Sequence, residues 1–185
     1  MPHHLPEGVA SRGNADLLQK RTLGLFCSAR CPSSLILQAH DFARDLRDPD
    51  LAVIGGFHSS IEKECLTLFL RGGQPVIVCL ARSLDRLRLP VTWKPALQEQ
   101  RMFILSPFER GHRRSTGVTA AMRNLLVVDL ADEILVPHAA PGSKTEWLCR
   151  DIAAAGKPLL TVDSADNTSL MALGARPVGA GSDLA

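Results

Sequence analysis

The 185-residue sequence contains no tyrosine, and aromatic residues make up only 4% of it. That excludes a surface that stacks successive bases on many aromatic platforms, as RNA-recognition sheets and OB-folds do. No apolar run approaches the roughly 18–20 residues of a membrane span, so no membrane partner is expected. The opening "MPHHLPEGVASRGNADLLQKR" lacks the apolar stretch of a secretory signal, and residues 1–21 read as a flexible leader. The five cysteines, Cys27, Cys31, Cys65, Cys79 and Cys149, are odd in number and sit mostly in apolar segments. This fits reduced, buried thiols in a cytoplasmic protein. Cys27 and Cys31 have no second pair to complete a zinc site, so no metal is expected. The dinucleotide fingerprint G-x-G-x-x-G, the P-loop and the G-x-S-x-G nucleophile elbow are all missing, and no cofactor is expected.

What is present is regular alternation. Apolar residues make up 45% of the chain, enough for one globular domain. Short apolar runs ("TLGLFCS", "LAVIGG", "PVIVCLA", "RMFILSP", "EILVPH", "KPLLTVD") read as strands. Segments of helical spacing separate most of them. "SSLILQAHDFARDLRD" carries Leu35, Leu37, Phe42 and Leu46 at that spacing, with Ser33 or Ser34 as its expected cap. "SSIEKECLTLFLRGG", "STGVTAAMRNLLVVDLA", "KTEWLCRDIAAAG" and "NTSLMALGA" follow, and "RPVGAGSDLA" is expected to fray. Strands alternating with helices imply right-handed crossovers and an α/β fold with a mostly parallel sheet.

Ligands of such sheets bind at the C-terminal ends of the strands. The loops there are "SARCPSS", "GGFHSS", "ARSLDR", "SPFERGHRRST" and "HAAPGSKT". They supply Ser28, Arg30, Gly55, Gly56, Ser59, Ser83, Gly142, Ser143, Lys144 and Thr145 as candidates for holding phosphate. Backbone amides at helix starts, hydroxyls and arginines suit that chemistry. Net charge is only +2, but residues 71–123 hold ten Lys or Arg against three acids, a local excess of seven positive charges. Such a segment suits a nucleotide or nucleic acid. His58 and His138 also follow strands and are expected to be ordinary polar loop residues.

The run "MRNLLVVDLADEILVPHAAPGSKTEW" resembles the signature of the DNA-processing (DprA/Smf) family. Arg123–Asn124, Ala131–Asp132, "EILVPHA" and "PGSKT" fall in that family's order. "GGFHSSIE…RGGQPVIVCLARSLDRLRLP", "GKPLLTVD…NTSLMALGA" and "FCSAR" are similar to its other segments. The likeness spans residues 22–178, leaving 179–185 as a flexible tail. It implies a Rossmann-like three-layer α/β/α sandwich that binds a nucleotide or single-stranded DNA and assists a recombination protein. It places Arg30, Gly56, Arg123, Asn124, Gly142, Ser143 and Thr145 in the pocket. "PGSKTEW" is also similar to the P-G-G-x-G-T-x-x-E motif of LOG-type (lysine-decarboxylase-like) phosphoribohydrolases. That resemblance would make Glu146 a catalytic carboxylate cleaving a nucleoside monophosphate. A third expectation is a diverged sensor domain with an inert pocket. Domains of this kind often pair, so a homo-oligomer is compatible with the sequence, although no segment marks an interface.

Overall fold

The computed structural model of the chain describes residues 3–179. The six expected strands are present: β2 (Arg21–Leu25), β3 (Leu51–Gly55), β4 (Val76–Cys79), β5 (Met102–Ser106), β6 (Glu133–Val136) and β7 (Leu159–Val162). Two more flank them, β1 (Ala10–Gly13) and β8 (Arg176–Val178). The sheet order is β1-β5-β4-β3-β2-β6-β7-β8. Only β1 runs antiparallel, with Ala10 opposite Ser106 and Gly13 opposite Phe103.

Alternate residues of each parallel strand face opposite layers. Leu51 and Val53 point to one face, Ala52 and Ile54 to the other. The first face is covered by α1 (Ser33–Asp45), α2 (Ser60–Gly72) and the short α3 (Lys94–Gln98). There Phe69, fully buried, meets Phe42 edge-on at 6.3 Å. Burying such a side chain stabilises by about 1.5–3 kcal/mol. The second face is covered by α4 (Gly117–Leu130), α5 (Lys144–Ala154) and α6 (Thr168–Ala172), with Leu17 and Leu18 of a 3-10 turn. This is the expected Rossmann-like three-layer sandwich. No helix among the described residues is long and apolar enough to cross a membrane.

Three local readings change. Residues 1–21 read as a leader outside the domain, yet β1 pairs with β5, and the 3-10 turn Ala15–Gln19 buries two leucines in the core. "RPV", read as the start of a frayed end, pairs with β7. The tail expected over 179–185 lies, beyond Gly179, outside the described residues. Neither Ser33 nor Ser34 caps α1, because Pro32 occupies the capping position and has no side-chain acceptor to offer.

Candidate functional site

The strand order reverses at β2. From there the chain moves outward through β3, β4 and β5, then returns to add β6 on the other side. The crevice between the ends of β2 and β6 is therefore the switch point at which open α/β sheets receive ligands. The loops "CSARCPS" and "HAAPGS" meet there. Ser28 Oγ accepts a hydrogen bond from the Ala140 amide at 3.0 Å and lies 3.0 Å from Ser143 Oγ. The Ser28 amide donates to the His138 carbonyl, also at 3.0 Å. Ser143 is the N-cap of α5, accepting from the Glu146 amide at 3.1 Å. The start of α1 stands on the β2 side, so two helix N-termini flank the crevice, a setting that favours anions.

Glu146 is buried, and both its oxygens are engaged. One accepts from the Gly142 amide at 2.7 Å and the other from Arg150 at 3.2 Å. The carboxylate thus closes the "PGS" turn over the helix start. Gly142 has φ +71°, which L side chains rarely adopt, and this turn needs it. Lys144 is exposed, and its ammonium group sits near the start of α4, where a Cβ on Gly117 would come within 3.4 Å of Nζ.

His138 is buried and tied to Asn167. The Asn167 amide nitrogen donates to the carbonyls of Pro137 (2.8 Å) and Val162 (2.9 Å). Its oxygen therefore faces His138 Nδ1 at 2.9 Å, which must carry the proton. His138 thereby fastens the end of β6 to β7.

Arg123 is the buried member of the expected pocket, 5% exposed. Its Nη1 donates to the Cys79 carbonyl at 3.2 Å, and its Nε donates to Asn124 at 2.7 Å. Burial pulls the guanidinium below its ordinary range, and the Glu62 carboxylate opposes that shift. Gly56 lies directly against it: a Cβ there would fall 1.7 Å from Nη1. Glu62, itself 7% exposed, accepts from the Cys27 amide at 2.9 Å and the His58 amide at 2.7 Å. It joins the β2 and β3 loops above the arginine. Ser59 caps α2 through the Glu62 amide at 3.2 Å. Gly55 packs against Phe57 and the Leu25 carbonyl. Arg30 is exposed at the crevice rim, and Thr145 is half-buried in the first turn of α5.

Glu62 is absent from the residues singled out in sequence. Its signal was present in "SSIE", where serine followed three residues later by glutamate marks a capping box. Asp132, part of the family motif, serves the opposite edge of the sheet. It accepts from the Thr22 amide at 2.8 Å and from the Thr22 hydroxyl at 2.9 Å.

Ser83 lies further along the ligand-bearing edge. It lines a cleft of about 730 Å³ at the ends of β4 and β5, with Ser11, Asp85, Arg86, Phe108 and Arg110. This cleft is thus displaced from the switch point. All the cysteines are free thiols. Burial pushes Cys65, Cys79 and Cys149 up to about 12, so they stay protonated. The hydrogen bond between Cys27 and Cys31 raises the first and lowers the second. No group of three or more His, Cys, Asp or Glu among the described residues could hold a metal ion.

Known proteins share this fold. The fold superposes on DNA processing protein A from Streptococcus pneumoniae with a TM-score of 0.74 at 18% identity, covering 92% of this chain and 62% of that one. The chain therefore spans under two thirds of that relative's length. For DNA processing protein A from Helicobacter pylori, studied for its single-stranded DNA binding mode, the TM-score is 0.73 at 20% identity, covering 96% and 88%. A molybdenum cofactor carrier protein from Chlamydomonas reinhardtii shares the fold at 0.54 and 14% identity, covering 86% and 89%. No curated protein matches. The model of the family "DNA recombination-mediator protein A" matches residues 2–180, and the chain belongs to that family.

Proposed function

We propose that the chain binds single-stranded DNA through phosphates held at the switch-point crevice, as part of DNA processing. The observation that carries this reading is the meeting of Ser28, the Ala140 amide and the Ser143 N-cap between two helix N-termini. An anion there would be met by backbone amides, hydroxyls and the exposed Arg30 and Lys144. The Helicobacter pylori relative has a single-stranded DNA binding mode, which supports the same partner class here. Arg123, Asn124, Gly56 and Glu62 would shape the crevice from beneath. Loading of a recombination protein and pairing of two copies belong to the same proposal.

A phosphoribohydrolase draws no support from this geometry, since both oxygens of Glu146 hold the turn and the helix together. The test is fluorescence anisotropy with labelled oligo-dT at two salt concentrations, beside thermal shift with mononucleotides. Affinity that falls steeply with salt is the expected result. Absent or salt-independent affinity for oligo-dT would sink the proposal.

A further inference from the structure

We infer that the cleft beyond β4 and β5 is a second subsite for the same single strand, taking a nucleotide unit several residues away from the one at the switch point. This rests on the single-stranded DNA reading above.

The first observation is Ser83. It is 2% exposed, and its hydroxyl has no hydrogen-bond partner among the described residues. Buried hydroxyls are normally paired, so an exception that lines a cleft points to a partner from outside the chain. The second observation is charge. Arg86 and Arg110 in the cleft have no carboxylate partner among the described residues, and Arg82, Arg88, Arg113 and Arg114 on the same two loops add four more unpaired positive charges.

The lining narrows the ligand class. Asp85 and Glu109 share the cleft with Arg86 and Arg110. A bare phosphate would gain nothing from the acids. A nucleotide uses both kinds of group, its phosphate on arginine and its base N–H donors on a carboxylate. The floor is preformed: the Ser83 amide donates to the His112 carbonyl at 2.7 Å, and Ser106 Oγ donates to the Arg82 carbonyl at 2.8 Å. Phe108 closes it from below, buried. The cleft lies three strand spacings from the switch point, roughly 15 Å along the edge. That span is about four nucleotides at a stacked rise of ~3.4 Å per residue.

The experiment measures affinity of the unsubstituted protein and an Arg86→Ala/Arg110→Ala double variant for oligo-dT of about 2, 6 and 20 nucleotides, across a salt series. Both arginines are exposed, and circular dichroism checks that the variant is folded. The expected result is about a tenfold or greater loss on the two longer strands, with the salt slope reduced by about 1.4 for two lost phosphate contacts. The shortest strand should bind both proteins alike. Equal affinity and slope for the long strands, or an equal loss on all three lengths, would overturn the second subsite while leaving the crevice reading intact. Failure of the unsubstituted protein to bind the longest strand would remove both.

Discussion

The crevice between β2 and β6 and the cleft beyond β4 and β5 occupy the same edge of one sheet, but they use their polar groups differently. Around the crevice the buried groups are satisfied from within, while Arg30 and Lys144 stand exposed at its rim. Ser28 faces Ser143, Glu146 holds Gly142 and Arg150, and Glu62 holds two amides. In the cleft, Arg86, Arg110 and the buried Ser83 hydroxyl are left without partners among the described residues. A region held together by its own hydrogen bonds keeps its shape before any ligand arrives, which is what precise positioning requires. A region with unpartnered cations contributes attraction and salt dependence instead. The contrast predicts that substitutions in the crevice are felt first as lost stability, and substitutions in the cleft as lost affinity.

Glu62→Ala should have the largest effect. It removes the acceptor for two loop amides, and a carboxylate that opposes the shift of Arg123, which should cost about 2–5 kcal/mol. Chemical denaturation measures this; a loss below 1 kcal/mol would place Glu62 outside the framework of the crevice. Gly56→Ala comes next, at about 1–3 kcal/mol, because the new methyl displaces the Arg123 guanidinium from its hydrogen bonds.

Asp132 is a control remote from both regions. Burial alone would raise its pKa, but hydrogen bonds from Thr22 and the proximity of His3 bring it below the ordinary range. Its contribution is then full above the ordinary carboxylate pKa, near 4, and is lost as pH falls through the lowered value. Asp132→Asn should cost about 1 kcal/mol near neutral pH and flatten the acid limb of the stability curve, with the affinity for DNA unchanged. Ser83→Ala should move stability least and in the opposite direction, a gain of up to about 1 kcal/mol from removing an unpaired buried hydroxyl. Anisotropy on the same variant should show weaker binding of long oligonucleotides. A destabilised variant with full affinity would reverse the roles of the two regions.

The parallel strands were legible because each is an apolar run stopped by glycine, proline or a polar loop, and β3 and β4 are buried on both faces. β1 was not, since "ASRG" is wholly exposed, has no alternation and is held by backbone pairing at an edge. Sequence order brought Ser28, Gly142 and Ser143 to one place, and the fold sets Ser28 against Ser143. It could not reveal that Arg123 and Glu146 are turned inward, because the number of hydrogen bonds a side chain makes depends on distant backbone. "SSIEKEC" looks like the polar start of any surface helix until the Cys27 amide, 35 residues away in sequence, arrives at Glu62.

The antiparallel strand has a consequence for assembly of the chain during synthesis. β1 leaves the ribosome before its partner β5, which is made some ninety residues later. Pairing across so long a separation carries a loop-closure cost that only the completed sheet repays. Ser11 on β1 forms one wall of the Ser83 cleft. That wall is put in place only after β5 has been made, so a nascent chain carries Arg86 before it has the cleft.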